Sequence, residues 1–174
     1  MILVFTGNGK GKTTAALGAA LRSAGQKKKT AVVFFDKGGE HYGEQKMLER
    51  LEDSIDIFRF GKERFDPKKK TFRFGNLPED REEAKKASAQ VLKCSSADYF
   101  LIVCDEIISC LDAGLLTDAD VRAVIEALPA TTYLILTGRH APGWLIEKAD
   151  LVTEMKEKKH YFKKGWTAIE GLEY

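Results

Sequence analysis

Along the chain, short continuous apolar runs alternate with segments of helical period. The first run, Ile2 to Thr6 (ILVFT), has the apolar and β-branched character of a strand buried on both faces. Ala15 to Gly25 (AALGAALRSAG) then reads as a helix buried almost all round. Thr30 to Phe35 (TAVVFF) predicts a second strand. Gly43 to Leu51 predicts a helix with Met47, Leu48 and Leu51 on one face. Ile55 to Phe60 (IDIFRF) alternates as a third strand. Pro78 opens a helix whose first turns carry Glu79, Asp80, Glu82 and Glu83, and whose buried face is Ala84, Ala87, Val91 and Cys94.

Tyr99 to Cys104 (YFLIVC) is a fully apolar fourth strand. Thr117 to Asp120 forms a capping pattern ahead of a helix carrying Val121, Val124, Ile125 and Leu128. Thr132 to Leu136 (TYLIL) is the fifth strand, Pro142 starts a short helix, and Asp150 to Met155 (DLVTEM) is the sixth strand. Strands alternating with helices at this spacing predict a three-layer α/β fold with a mostly parallel sheet of about six strands. No repeat or linker divides the 174 residues, which are therefore expected to form a single domain.

Two stretches escape the pattern. Residues 61–77 (GKERFDPKKKTFRFGNL) are basic and aromatic without a period, and a loop of that length is usually functional or mobile. Phe65, Phe72 and Phe74 in it have two readings, packing on the body of the protein or covering a flat apolar ligand. The tail from residue 156 has no clean pattern, although Trp166, Ile169 and Leu172 could pack.

Composition narrows the class without changing the fold. The content, 44% hydrophobic and 31% charged, is that of an ordinary soluble domain. A net charge of +2 gives no argument for nucleic acid, and the KKK runs at 27–29 and 68–70 read as solvated loops. No apolar run reaches membrane length, so a cytoplasmic location is expected. Three cysteines without a C-x-x-C pair disfavour both a disulfide framework and a zinc knuckle.

The chemistry lies between the first strand and the first helix. GNGKGKTT places Gly7, Gly9 and Gly11 where a backbone must bend and bring its N–H groups toward a ligand. Lys10 and Lys12 add charge, and the helix N-terminus adds free N–H groups, making an anion site suited to a polyphosphate. Gly11-Lys12-Thr13 is the closing half of the phosphate-loop pattern G-x-x-x-x-G-K-[ST], with Lys12 for phosphate oxygens and the Thr13 hydroxyl for Mg²⁺. Thr6 stands in the first glycine position. The fourth strand ends in Asp105-Glu106, of which one carboxylate can serve the metal and the other the structure. Arg139, just past the fifth strand, is a polyphosphate ligand or a salt-bridge partner. His41 and His140 read as loop residues near the same edge.

Taken in order, FTGNGKGKTTAALG, DKGGEHYGE, IVCDEI, LTGRHAP, KADLVTEMKEKKH and GLEY resemble the P-loop-type ATP:corrinoid adenosyltransferases, over nearly the whole chain. The resemblance implies a P-loop NTPase (RecA-like) sheet, usually in a homodimer. It implies Mg²⁺, with ATP and a corrinoid (cobalamin) as substrates, transfer of the 5′-deoxyadenosyl group to Co(I), and release of triphosphate. It further implies that Gly7, Asn8, Gly9, Lys10, Gly11, Lys12, Thr13 and Thr14 hold the triphosphate and that Thr13 and Glu106 hold the magnesium. Arg139 and His160 then belong to the ATP site, with Lys12 and Arg139 as catalytic residues. Electrons for cobalt would come from a flavin-dependent reductase or flavodoxin. The nucleophile in such a reaction belongs to the corrinoid, which suits a chain with no Ser-His-Asp or Cys-His arrangement.

The chain departs from the family in two places. Family members carry a helix-bearing extension ahead of the first strand, where this sequence opens on the strand. They also carry G-x-G-F-x-W after the third strand, where Gly61 to Asp66 reads GKERFD without the tryptophan, leaving Phe65 as the aromatic for the corrinoid. The competing classes are a P-loop kinase or ATPase and a nucleotide-regulated binding protein.

Overall fold

The apolar runs assemble into one sheet in the computed structural model, which describes residues 1–39, 42–66, 71–73 and 75–173. Six strands form it: β1 (Ile2–Thr6), β2 (Thr30–Phe34), β3 (Ile55–Arg59), β6 (Leu101–Asp105), β7 (Tyr133–Thr137) and β8 (Leu151–Glu154). Their order is β3-β2-β6-β7-β1-β8, and every neighbouring pair is parallel. The α/β, P-loop NTPase (RecA-like) class holds, with the sheet wholly rather than mostly parallel.

Among the described residues six α-helices complete the layers: α1 (Lys12–Gly25), α2 (Gly43–Leu48), α3 (Pro78–Cys94), α4 (Ile107–Asp112), α5 (Asp118–Ala127) and α6 (Gly143–Lys148). Alternation along the central strands divides the core in two. Ala31, Val33, Phe35, Ile102 and Cys104 face Ala84, Ala87 and Val91 of α3 and Val121 and Val124 of α5. Val32, Phe34, Val103 and Ile135 face Ala16 and Ala20 of α1. Because β2 and β6 are buried on both faces, period-2 polarity is absent from them, as the sequence runs imply.

Several expectations need correction. α1 buries the stripe Lys12, Ala16, Ala20 and Ser23, which faces the sheet, while Leu21 on the other side is half exposed. Met47 is exposed while Leu48 of the same helix is buried, and the helix tightens into a 3₁₀ turn at Glu49–Leu51. β8 pairs only with β1, so Leu151 and Val152 are exposed at the sheet edge. Trp166 and Leu172 of the tail are exposed rather than packed.

The aperiodic stretch contains a small antiparallel pair, β4 (Phe65–Asp66) with β5 (Thr71–Phe72), in which Phe65 stands opposite Phe72. Long-range charge holds it. Arg64 Nε donates to Asp36 at 2.7 Å, and Arg73 makes a two-point contact with Asp80 at 2.9 and 3.0 Å. Asp80 also lies in the first turn of α3, where it accepts from the N–H of the N-cap residue Leu77 at 2.7 Å. One of the carboxylates that complement the α3 dipole in sequence, Asp80, thus also anchors the β4–β5 pair through Arg73 and Arg64. Phe74 and His41 lie outside the described residues.

Candidate active site at the phosphate loop

The loop Gly7–Gly11 leaves β1 and enters α1 at the carboxyl edge of the sheet, where open parallel sheets bind ligands. Its glycines are required by the neighbouring backbone. Gly7 has φ of +105°, and a Cβ there would lie 2.4 Å from the Met155 carbonyl oxygen. A Cβ on Gly9 would lie 2.7 Å from the same oxygen, to which Gly9 N–H donates at 2.7 Å. The Asn8 side-chain oxygen accepts from Glu157 N–H at 3.0 Å, so the segment after β8 braces the loop. Thr6 accounts for the departure at the first glycine position: its hydroxyl accepts from Ala141 N–H at 3.1 Å, a bond glycine cannot make.

Lys12 is buried, and its ammonium donates to the carbonyls of Gly7 at 2.8 Å and Gly9 at 2.9 Å. Burial lowers its pKa, as does the charge of Arg139, against an opposing pull from Glu106 and Asp105. A group so placed is deprived of water and is held by carbonyl dipoles that a polyphosphate would replace with full charges. Lys10 instead pairs with Glu173 of the tail at 3.0 Å, and Glu173 also accepts from the Tyr161 hydroxyl. Thr14, one residue along α1, is exposed.

One strand, β7, separates the loop strand from the acidic strand β6. Asp105 is fully buried and accepts from the Thr137 hydroxyl at 2.7 Å and the Thr13 hydroxyl at 3.2 Å. Glu106 does not continue the strand. It takes a left-handed φ of 66° at the cap of α4, held by a bond from its N–H to Thr137 Oγ1 at 2.9 Å. That turn keeps both carboxylates near Lys12. Burial raises the Glu106 pKa, and the Asp105 charge raises it further.

Lys37 was missed by sequence reasoning as a site residue. It follows β2 at the same edge, and its ammonium lies 3.3 Å from Thr13 Oγ1, 3.2 Å from Asp105 Oδ2 and 3.2 Å from Glu44 Oε1. Burial would lower its pKa, but the charges of Asp105, Glu44 and Glu106 outweigh burial and hold it well above the usual lysine range. Its position past a strand end was the available signal; the partner in α2 could not be read from spacing.

These donors suit a hard divalent cation. A threonine hydroxyl and two carboxylates are oxygen ligands of the type Mg²⁺ prefers, and a cationic group already stands against two of them. Among the described residues no cluster of three or more His, Cys, Asp or Glu could hold a metal alone. A nucleotide's phosphate oxygens would complete such a shell.

Arg139 is exposed beyond β7, with its N–H donating to the Ser109 hydroxyl at 3.0 Å. It makes no salt bridge among the described residues, and its charge reaches Lys12 and Glu157. His160 is half-buried in the tail, where its Nδ1 accepts from Phe162 N–H at 3.2 Å. His140 instead pairs with Asp112 at 2.9 Å. A cleft of about 650 Å³ opens beside the loop, lined by Thr6, Gly7, Asn8, His140, Ile146 and Val152 among others.

With this geometry in hand, comparison with known proteins is informative. The family described as ATP:corrinoid adenosyltransferase BtuR/CobO/CobP matches residues 1–174. A corrinoid adenosyltransferase from Pseudomonas aeruginosa is 36% identical over 179 residues, covering 100% of this chain and 83% of that protein. One from Escherichia coli K12 is 34% identical over 177 residues, with 100% and 85% covered. The corrinoid adenosyltransferase CobA of Salmonella typhimurium is 35% identical over 179 residues, again with 100% and 85% covered. In fold alone, the flagellar accessory protein FlaH from Methanocaldococcus jannaschii is similar, with a TM-score of 0.57 at 9% identity over 88% of this chain and 69% of that one.

Proposed function

The chain belongs to the ATP:corrinoid adenosyltransferase BtuR/CobO/CobP family, and on that premise we propose that it transfers the 5′-deoxyadenosyl group of ATP to the Co(I) of a corrinoid. The observation that carries the reading is the match to this family along the whole of residues 1–174. In the reaction the cobalt electron pair forms the Co–C5′ bond as the C5′–O bond breaks, and triphosphate departs with that oxygen.

The protein's share is to hold C5′ in line and to stabilise charge growing on the leaving triphosphate. We assign the triphosphate to Gly7, Asn8, Gly9, Lys10, Gly11, Lys12, Thr13 and Thr14. Lys12 and Arg139 supply charge to the phosphate oxygens, and His160 adds to the ATP site. Lys12 supports this assignment by being buried and, among the described residues, bonded to loop carbonyls. Magnesium, held by the Thr13 hydroxyl and Glu106, would neutralise phosphate charge; Asp105 orients the Thr13 hydroxyl. Phe65 in the β4–β5 hairpin is assigned to the corrinoid face.

The same reading includes one catalytic domain over residues 1–174, a homodimer, a flavin-dependent reductase or flavodoxin as electron source, and a role in adenosylcobalamin biosynthesis or salvage. These follow from the family resemblance. A cytoplasmic location is proposed with them, and among the described residues no helix is long and apolar enough to cross a membrane.

The test is to incubate the protein with ATP and chemically reduced cobalamin and to identify the phosphate product. Triphosphate is expected. ADP with phosphate would identify a kinase or ATPase, and no turnover would favour a nucleotide-regulated binder.

A further inference from the structure

The ammonium of Lys37 stands where a cation is wanted. Thr13 gives its one hydroxyl proton to Asp105, so the lone pairs of Thr13 Oγ1 remain for a donor or a metal. Lys37 Nζ donates into that oxygen at 3.3 Å while touching Asp105 Oδ2 and Glu44 Oε1, both at 3.2 Å. Its stem runs past the rings of Phe34 and Tyr42, each centred 5.4 Å from Nζ, and the side chain is only 14% exposed. A flexible four-carbon stem lets such a charge withdraw without moving the backbone.

We propose that Lys37 is a tethered counter-ion that occupies the metal position of this site until a metal–nucleotide complex displaces it. The inference rests on the reading of Thr13 and Glu106 as the magnesium ligands. Asp105 is fully buried and Glu106 and Glu44 are half-buried, and these three carboxylates facing one ammonium would be costly without a cation. Free Mg²⁺ is strongly hydrated and gains less from a cluster whose charge Lys37 already partly offsets. A cation arriving on ATP brings phosphate oxygens as further ligands and new acceptors for the freed ammonium. Metal therefore enters with nucleotide, and the empty site does not fill with free divalent cation.

The probe is Mn²⁺ alone, titrated by electron paramagnetic resonance without nucleotide or corrinoid. Wild type is expected to bind it weakly. Lys37→Met is expected to bind at least about tenfold more tightly, and the gain is expected to vanish when Glu106→Gln is added. Because Lys37→Met leaves the carboxylates uncompensated, Lys37→Met with Glu44→Gln serves as the second variant, with one carboxylate fewer and the same direction of change expected. Unchanged or weaker Mn²⁺ binding in the folded variants would overturn the proposal, as would a gain that survives Glu106→Gln. The assay involves no turnover, so a wrong phosphate product in the activity assay would sink the functional reading and leave this measurement standing.

Discussion

Thr13 and Asp105 lie 92 residues apart in sequence, yet their side chains meet at 3.2 Å. The first sits in the opening turn of α1 and the second at the end of β6, and parallel pairing through β7 brings the two ends to one edge. The contact joins the phosphate loop to the acidic strand end.

Lys12→Ala and Thr13→Ala should each lower activity by about a hundredfold or more, by different routes. In the proposed roles, Lys12 would supply charge to the polyphosphate and Thr13 an oxygen to the metal. Raising Mg²⁺ in a steady-state assay should restore part of the rate to Thr13→Ala and none to Lys12→Ala. Equal rescue of the two would contradict these roles.

Glu106→Gln should raise the Mg²⁺ concentration needed for activity more than Asp105→Asn does. Asp105 serves Thr13, Thr137 and Lys37 together, so Asp105→Asn should instead cost about 2–3 kcal/mol of stability. Metal titration alongside denaturant unfolding separates the effects; a larger metal effect from Asp105→Asn would exchange the two roles.

Asp80→Asn should destabilise the protein by about 3 kcal/mol, since it leaves Arg73 and Arg64 without their buried partner. Burial alone would raise the Asp80 pKa; the bonds from Arg73 and Leu77 N–H and the charge of Arg64 outweigh it and hold the group below 3.8. A depressed carboxylate contributes its stability above the unfolded value near 3.8 and loses it as pH falls through the folded value. Wild type should therefore lose stability below about pH 4 more steeply than Asp80→Asn. Parallel acid limbs in urea unfolding would count against the assignment.

Phe65→Ala should slow turnover on Co(II)alamin about tenfold, equivalent to about 1.4 kcal/mol of transition-state stabilisation. ATP affinity should stay nearly unchanged, and pre-reduced Co(I) should recover much of the rate. An apolar cover that displaces the lower ligand of cobalt would make Co(II) easier to reduce and exclude water from it. If Phe65→Ala, Phe72→Ala and Phe74→Ala together left Co(II)-dependent turnover intact, the hairpin would be structural.

Local pattern alone was enough for the six sheet strands, the starts of α3 and α5 and the phosphate loop, but not for α4 or the β4–β5 pair, where it predicts no element. The apolar runs are too short for anything but buried strands, Thr117 with Asp120 forms the cap its spacing implies, and GNGKGKTT needs its glycines wherever a loop meets a helix. The face that α3 buries was legible for the same reason, because helical period is local. What depended on tertiary structure was every relation between distant segments. The exposure of Leu21 and Met47 follows from which side of a helix meets the sheet, a matter of packing rather than of composition. The brace of Gly9 on Met155, the anchoring of Arg64 and Arg73 by Asp36 and Asp80, and the place of Lys37 all depend on strand order. Hydrophobic period tells which residues leave water, but only the assembled sheet decides which buried charges must neutralise one another.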